Sequence, residues 1–181
     1  MERRSVVCFI RAGGDAPAWL LLHRRRAPDL GRWNAPGGAI EAGEEPVEAA
    51  RREVREETGL DLPLGRLRER ARLTLNGWDG NPETVEHIWV FTAVAEDREG
   101  AAEGESPSGE GRLAWVPEPG LRRLAWPEDV PTYLDRLFDP TAPDFLGEFT
   151  YDDAGRLLDA IIMPVDRPRR DSEKDGETHR H

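Results

Sequence analysis

The chain has 181 residues, a length that fits one globular domain with a sizeable core. Asp and Glu total 36 against 25 Lys and Arg, which gives a formal net charge of -11. A surface of that sign repels nucleic-acid backbones, so binding to a nucleic-acid polymer is disfavoured. The longest apolar runs, at 6–10 and 19–22, are too short to span a membrane and do not belong to a signal peptide, which predicts a cytoplasmic protein.

The residue pattern predicts strands and helices that alternate along the chain. Two strands, over 5–11 and 18–23, are joined by a turn-rich segment and predict an opening hairpin. A helix is predicted over 45–58, because Pro46 stands in its first turn and Gly59 stands where a helix-ending glycine is expected. The later predicted elements are strands over 68–75, 86–95 and 112–116, a helix over 132–138, and a terminal hairpin with strands near Phe149 and over 157–163. This order indicates an α/β sandwich with a mixed β-sheet.

Two segments are predicted to lie outside the packed core. Residues 97–111 are acidic and rich in small residues, which indicates a mobile surface loop. Residues 166–181 are nearly all charged or polar and show no apolar periodicity, which indicates a disordered tail. We therefore expect one domain over residues 1–165, followed by a charged tail.

Three glutamates of the helix predicted over 45–58 have an unfavourable placement. Glu53, Glu56 and Glu57 stand at i, i+3 and i+4, so their carboxylates share one helix face and repel one another. They also lie in the last two turns, where the helix dipole disfavours each carboxylate by about 0.3–1 kcal/mol. Mg2+ relieves both effects, because it binds carboxylate oxygens and leaves positions for water and phosphate oxygens. We expect Glu56 and Glu57 to lie on the open face of the helix.

A solvated helix face with ion pairs such as Glu48 with Arg52 is the alternative interpretation. This alternative leaves the residues before the helix unexplained. Residues 36–38 form a Pro-Gly-Gly turn that lets the backbone approach a ligand closely, and Glu44 follows just before the helix. The combined pattern therefore favours a functional site over a solvated face.

The segment from Gly38 to Leu60 resembles the Nudix box, Gly-x5-Glu-x7-Arg-Glu-aliphatic-x-Glu-Glu-x-Gly-aliphatic, at all nine specified positions. A match of that length by chance is negligible beside the false-positive rate of shorter motifs. The resemblance implies the Nudix fold, an α/β/α sandwich with a mixed sheet, in which this loop and helix hold Mg2+ or Mn2+. It also implies hydrolysis of a nucleoside diphosphate linked to another group.

The same resemblance implies roles for individual residues. The metal ligands it implies are the backbone carbonyl of Gly37 and the carboxylates of Glu53, Glu56 and Glu57. Arg52 would hold the acidic cluster in place, and Glu44 would support the loop. Glu110 matches a loop glutamate that relatives use as a metal ligand or base, with a merely solvated loop acid as the alternative. The general base stays open between a helix glutamate and a loop carboxylate.

Residues outside the box are expected to select the substrate. An Asn carboxamide pairs with a base edge, an indole stacks on a purine, and two adjacent carboxyls can share a proton. Asn34, Trp126, Glu128 and Asp129 supply these groups and resemble the oxidised-purine nucleoside triphosphatase branch of the MutT-related Nudix proteins. Glu128 stands where that branch carries Asp. Core packing for Trp126 and a helix start at 127–129 are the alternatives.

We predict an enzyme that hydrolyses nucleoside triphosphates, with oxidised purine nucleotides such as 8-oxo-dGTP as substrates, to the monophosphate and pyrophosphate. One alternative keeps the fold and changes the substrate to an ADP-sugar, a dinucleoside polyphosphate or another nucleoside diphosphate derivative. A second alternative is a nucleotide-sensing domain without turnover, which the complete acidic triad disfavours. The expected partner is a small nucleotide, not a nucleic-acid polymer or a membrane, and the chain is expected to be a monomer or homodimer.

Overall fold

The computed structural model describes residues 1–14, 16–96 and 103–165. The strands are β1 (Glu2–Ala12), β2 (Ala18–Arg24), β3 (Trp33–Asn34), β4 (Gly37–Ala39), β5 (Arg68–Asn76), β6 (Val85–Ala95), β7 (Gly104–Glu105), β8 (Gly111–Pro117), β9 (Asp144–Tyr151) and β10 (Leu157–Val165). The α-helices are α1 (Pro46–Thr58) and α2 (Val130–Phe138), and short 3-10 helices cover Leu64–Arg66 and Glu118–Arg123. Over these residues, no helix is long and apolar enough to cross a membrane.

The strands form one mixed sheet in the order β10-β9-β5-β6-β1-β2-β8-β7, with β3 paired to β2 and β4 paired to β1. β1 runs parallel to β6, and β5 runs parallel to β9. The other strand pairs are antiparallel. The predicted opening hairpin is confirmed, because Ile10 of β1 pairs with Leu20 of β2 and Ala12 pairs with Ala18.

Side chains of the sheet alternate between two cores, one on each face. Val6 and Cys8 of β1 belong to the core that contains Val54 of α1. Phe9, the next residue after Cys8, points to the other face and belongs to the core that contains Leu134 of α2. A mixed sheet with one helix packed on each face is the α/β/α sandwich that the sequence predicts, so this fold prediction is confirmed.

The edge of β1 that faces away from β6 is shared by two partners. Residues 5–7 pair with β4, and residues 10–12 pair with β2. Gly37 permits the first of these contacts, because a Cβ atom there would lie 2.1 Å from the carbonyl oxygen of Val6. The glycine turn is therefore fixed against the central strand, directly before α1.

Two segments predicted as loops contain short strands. β3 and β4 lie in the loop before α1, and β7 lies within the predicted mobile loop over 97–111, where Ser106 is buried as well. Such two- and three-residue strands carry no periodicity and exist only because a longer strand offers them hydrogen bonds. Residues 97–102 of that loop and the predicted tail 166–181 lie outside the described residues. The domain limit at residue 165 stays a prediction.

Candidate active site

The helix that carries the three glutamates is fixed at both ends. The backbone N–H of Glu45 donates to Oε2 of Glu48 at 3.2 Å before the first turn. Gly59 ends the helix with a φ of 78°, a backbone conformation that glycine adopts without strain. Ser106 Oγ donates to the carbonyl oxygen of Glu57 at 2.7 Å, so the segment that leads to β8 is tied to the last turn of α1.

Glu57 lies inside the protein, with an exposed fraction of 2%. Its Oε2 accepts a hydrogen bond from the backbone N–H of Gly37 at 2.9 Å. Burial raises the pKa of Glu57, and the like charges of Glu110 and Glu53 raise it further against the opposing effects of the Gly37 N–H and Arg24. The expectation that Glu57 lies on the open face of the helix is therefore wrong, because the glycine turn covers this carboxylate.

Arg52 joins the loop before α1 to the acidic cluster. Its Nε donates to Oε1 of Glu44 at 2.9 Å, and its Nη2 donates to the carbonyl oxygen of Ala39 at 2.9 Å. Its Nη1 lies 2.6 Å from Oε1 of Glu53 and 3.4 Å from Oε2 of Glu56. One guanidinium therefore connects three carboxylates and a backbone carbonyl, and it pairs with Glu44 instead of the Glu48 partner of the solvated-face alternative.

The carboxylate of Glu53 lies against the backbone of Gly38. A Cβ atom at Gly38 would lie 2.5 Å from Oε1 of Glu53, so only glycine leaves this carboxylate in its place. Burial raises the pKa of Glu53, Arg52 lowers it, and the charges of Glu56 and Glu110 raise it. The negative charges of neighbouring acids therefore make the ionised form of Glu53 less favourable.

The chemistry of the cluster fits a hard divalent cation. Its groups are carboxylates whose like charges raise the pKa of Glu53 and Glu57, and the contacts to Arg52 use only Oε1 of Glu53 and only Oε2 of Glu56. In the part of the chain that the structure describes, no three His, Cys, Asp or Glu side chains are gathered closely enough to hold a metal ion. Metal binding by Gly37, Glu53, Glu56 and Glu57 therefore stays a prediction.

Glu110 reaches the cluster from the segment before β8. Its Oε2 lies 3.2 Å from Nη1 of Arg24, and its backbone carbonyl accepts the N–H of Arg25 at 2.9 Å. The negative charge of Glu110 contributes to the raised pKa of both Glu53 and Glu57. The structure thus brings together a loop acid and helix acids that lie more than fifty positions apart in the sequence.

One cleft of about 920 Å³ joins the acidic cluster to the start of α2. The predicted site residues on its wall are Asn34, Gly37, Glu53, Glu110, Glu128 and Asp129. Glu57 borders it through its hydrogen bond to Gly37, and the Glu56 side chain is 51% exposed beside Arg52. The cleft therefore places Gly38 and Glu53 of the box and three of the four predicted base-contacting residues on one surface.

Trp126, the fourth of those residues, lies in the core. It is 8% exposed, its Nε1 donates to the carbonyl oxygen of Leu121 at 2.8 Å, and its ring centroid lies 6.4 Å from that of Phe9. The structure thus places Trp126 away from the cleft wall, which favours the packing role over base stacking. The sequence could not separate these roles, because an indole ring suits both.

Asp129 is buried at the cleft and held by two tyrosines. The hydroxyl of Tyr133 donates to its Oδ2 at 3.2 Å, and the hydroxyl of Tyr151 donates to its Oδ1 at 3.1 Å. Burial raises the pKa of Asp129 to about 6, although both tyrosine hydrogen bonds lower it. Asp129 directly precedes α2, as the helix-start alternative has it, but its carboxylate makes no capping hydrogen bond to the helix.

Glu128 and Asn34 also line the cleft, but each already has a local partner. Oε2 of Glu128 accepts the backbone N–H of Leu157 at 2.7 Å, and Oδ1 of Asn34 accepts the N–H of Ala35 at 2.9 Å. The structure gives these two acids different partners, Leu157 for Glu128 and two tyrosines for Asp129, and proton sharing between them stays a prediction. Glu128 fixes the start of β10.

Sequence reasoning missed several residues of the cleft wall. These are the arginines Arg3, Arg4, Arg24 and Arg32 and the aromatic residues Trp78, Tyr133 and Tyr151. A basic run at 24–26 in an acidic chain was a signal for Arg24, and Tyr133 stands four positions after Asp129 in a predicted helix. Trp78 gave no signal, because it stands outside every periodic segment.

Comparisons with known proteins agree with this geometry. The family model described as NUDIX domain matches residues 1–136. A Myxococcus xanthus protein named octanoyltransferase is 36% identical over 134 residues, which are 74% of this chain and 33% of that protein. The human diphosphoinositol polyphosphate phosphohydrolase 3-alpha is 46% identical over 93 residues, which are 51% of each chain. The chain thus spans between a third and a half of these curated relatives.

A solved structure has the same architecture over most of both chains. The MutT protein of Bacillus halodurans superposes with a TM-score of 0.74 and 25% identity, over 91% of this chain and 99% of that chain. The family match covers the whole box, the residues of α1 and the strands that hold the glycine turn. The chain therefore belongs to the Nudix family.

Proposed function

We propose that residues 1–165 form a Mg2+-dependent hydrolase that cleaves nucleoside triphosphates, preferentially oxidised purine nucleotides, to the monophosphate and pyrophosphate. The observation that carries the proposal is the single cleft that contains both Glu53 and Glu110 of the acidic cluster and Asp129 with its two tyrosines. A polyphosphate at the acidic cluster and a base near Asp129 would then occupy one continuous surface. Mn2+ is an alternative cofactor of the same ligand chemistry.

Each residue of the cluster would have a separate role in phosphoryl transfer. Bound Mg2+ would neutralise phosphate charge and acidify water, with Gly37, Glu53, Glu56 and Glu57 as its ligands. Arg52 keeps the carboxylates of the helix together through its hydrogen bonds. Arg24, at the cleft wall, supplies a positive charge for phosphate oxygens. Glu110 is the candidate that accepts the proton of the attacking water, since it lines the cleft and is not buried.

A second candidate substrate is a diphosphate group on a multiply phosphorylated or sugar-linked compound. The human relative is named for diphosphoinositol polyphosphates, and four arginines line the cleft of this chain: Arg3, Arg4, Arg24 and Arg32. Guanidinium groups bind phosphate groups by charge and by paired hydrogen bonds. The same acidic cluster would hydrolyse this substrate. Only the part of the cleft near Asp129 would bind a different ring.

The deciding experiment is a Mg2+-dependent hydrolysis screen over 8-oxo-dGTP, dGTP, ADP-ribose, dinucleoside polyphosphates and a diphosphoinositol polyphosphate, with products separated by chromatography. We expect preference for 8-oxo-dGTP with release of pyrophosphate. Preference for a capped or inositol-linked diphosphate would replace the nucleoside triphosphate proposal with the second candidate. Binding of nucleotides without turnover in Mg2+ or Mn2+ would instead support the sensor alternative.

An Asp129→Ala variant tests the base-selective part of the proposal. We expect it to lose discrimination between 8-oxo-dGTP and dGTP more than it loses hydrolysis of a generic nucleoside triphosphate, because Asp129 lines the cleft and lies outside the acidic cluster. Equal losses on all substrates would show that Asp129 only supports the packing of Tyr133 and Tyr151.

A further inference from the structure

Trp78 stands out in the cleft because its polar atom has no partner. Its Nε1 is buried and makes no hydrogen bond within the described residues, whereas the Nε1 of Trp126 bonds to a carbonyl. Trp115 Nε1 is also unpaired, but Trp115 lies in the core on the α1 side and is 7% exposed. Trp78 lines the cleft, and an unpaired buried donor is costly unless a ligand or an ordered water accepts its hydrogen bond.

The loop that presents Trp78 is internally hydrogen-bonded. The backbone N–H of Gly77 donates to the carbonyl oxygen of Thr84 at 2.8 Å, which closes the loop at its base. The carboxylate of Asp79 accepts the Thr84 hydroxyl at 3.1 Å and the Asn81 N–H at 3.1 Å. Trp78 is therefore held in place before any ligand binds.

The turn between β9 and β10 packs against this loop. A Cβ atom at Gly80 would lie 2.7 Å from the carbonyl oxygen of Asp153, and one at Gly155 would lie 3.0 Å from the carbonyl oxygen of Trp78. Gly155 also lines the cleft. The Trp78 loop and the β9–β10 turn are thus packed backbone to backbone, which fixes the wall that they form together.

Arg3 covers one face of the Trp78 ring. Its guanidinium carbon lies 5.5 Å from the ring centroid, and its Nη2 lies 3.7 Å from Oδ2 of Asp79. A cation on one face of an aromatic ring fixes the ring's position without using its N–H. Arg3 therefore holds the Trp78 ring at the cleft wall without taking up its N–H.

The remaining wall of the cleft suits a planar ring with polar edges. Leu75 and Ile88 supply apolar surface, and Tyr133 and Tyr151 supply aromatic surface. The two tyrosine hydroxyls donate their protons to Asp129, so their oxygens keep lone pairs that accept hydrogen bonds. Apolar and aromatic walls with both donors and acceptors match a nucleobase, whereas a phosphorylated inositol ring has no aromatic face.

We infer that Trp78 is the aromatic residue whose ring contacts the substrate's nucleobase, the role that the sequence assigned to Trp126. This inference rests on the proposed nucleotide chemistry of the site. It names the class of ring that the cleft selects, and it makes Trp78 a specificity-determining residue.

The test compares Trp78→Phe, Trp78→Leu and the control Trp89→Phe, which changes a tryptophan packed against the core on the α1 side. Calorimetry measures the binding of dGMP and of deoxyribose 5-phosphate, which lacks the base. We expect Trp78→Leu to weaken dGMP binding about 5- to 100-fold, since base stacking on an aromatic side chain is of that order. Trp78→Phe should show a smaller loss, and deoxyribose 5-phosphate binding should not change.

Equal weakening of both ligands by Trp78→Leu would make Trp78 a structural residue and overturn the inference, as would unchanged dGMP binding. If circular dichroism shows that Trp78→Leu does not fold, the Phe variant decides by the same comparison. A wild-type protein that binds dGMP no better than deoxyribose 5-phosphate also overturns the inference. Hydrolysis is a separate measurement, so base-dependent binding without turnover would remove the proposed function and leave the inference intact.

Discussion

The backbone N–H of Gly37 donates to Oε2 of Glu57 at 2.9 Å and thereby joins strand β4 to the last turn of α1. The contact needs a residue without a side chain, because a Cβ atom at Gly37 would lie 2.1 Å from the carbonyl oxygen of Val6. A glycine before the helix and an acid near its end are thus joined by a hydrogen bond. The hydrogen bond holds the Glu57 carboxylate beside the glycine turn, where the acidic cluster borders the cleft.

Glu57→Gln and Glu56→Gln each test the catalytic cluster. We expect each variant to lower kcat by roughly a hundred-fold or more, because an amide neither carries the charge that offsets phosphate nor binds a hard cation as strongly. Steady-state hydrolysis over a series of Mg2+ concentrations measures this effect. Glu48→Gln is the matched control at the other end of α1, where Gln can still accept the N–H of Glu45.

Near-normal turnover in both cluster variants would contradict the metal assignment. A loss in Glu48→Gln of the same size would show that the effect comes from the stability of α1. Thermal unfolding of each variant separates this second case, because a half-exposed side chain such as that of Glu56 contributes little to the free energy of unfolding.

Gly38→Ala should lower activity much more than stability. The added Cβ atom would lie 2.5 Å from Oε1 of Glu53, the flexible end of a side chain, so the fold can adjust while this carboxylate moves. We expect a strong loss of hydrolysis with a small change in melting temperature. Gly37→Ala would instead meet backbone and should lower the melting temperature as well.

Gly65→Ala is the control for these two glycine variants, because no heavy atom lies within 4 Å of a Cβ atom there. Assays of hydrolysis and of thermal unfolding are made on all three variants. Full activity in Gly38→Ala would show that the position of Glu53 does not matter for catalysis.

Asp129 should make the free energy of unfolding depend on pH. Its pKa in the folded protein is about 6, raised from 3.8 by burial, so the folded state binds the proton more tightly than the unfolded state does. The stabilisation from this proton is complete below about pH 4 and is lost as the pH rises through 6. The shift corresponds to about 3 kcal/mol of unfolding free energy.

Asp129→Asn removes this dependence, so the stability of wild type relative to the variant should fall as the pH rises from 4 to 7. Urea unfolding at several pH values measures it. Asp135→Asn, which changes an exposed acid of α2 paired with Arg122, is the control for the removal of one carboxylate. A constant difference between wild type and Asp129→Asn across this range would contradict the prediction.

Arg70 is expected to be the arginine on which the fold depends most. It is 2% exposed, its Nε donates to Oδ1 of Asp144 at 3.0 Å, and it also donates to the carbonyl oxygen of Leu137 at the end of α2. Arg70→Leu leaves Asp144 with the exposed Arg68 as its ion-pair partner among the described residues, and removal of a buried ion-pair partner typically costs about 3–5 kcal/mol. Chemical unfolding should show a loss of this order.

Arg72→Leu, two positions along the same strand, is the matched control. Its side chain is 54% exposed and pairs with Glu69, so we expect a loss below about 1 kcal/mol. Similar losses in Arg70→Leu and Arg72→Leu would show that the buried pair contributes no more than the exposed pair.

The elements whose signals are local form as the sequence predicts. The helix predicted over 45–58 forms over Pro46–Thr58, and the strands predicted over 68–75 and 86–95 form over Arg68–Asn76 and Val85–Ala95. Turn residues, capping residues and apolar periodicity act over a few positions, so the chain carries them directly. The Nudix box is local in the same sense, since it runs without interruption from Gly38 to Leu60.

Which side chains of those elements meet depends on the fold of the whole domain. It buried Glu57 under the glycine turn, brought Glu110 to the helix, and placed Trp78 in the cleft and Trp126 in the core. Each of these outcomes depends on strands that are distant in the sequence, such as β1, whose edge is shared by β2 and β4. Burial depends on every element packed around a residue, and no short window of sequence contains that arrangement.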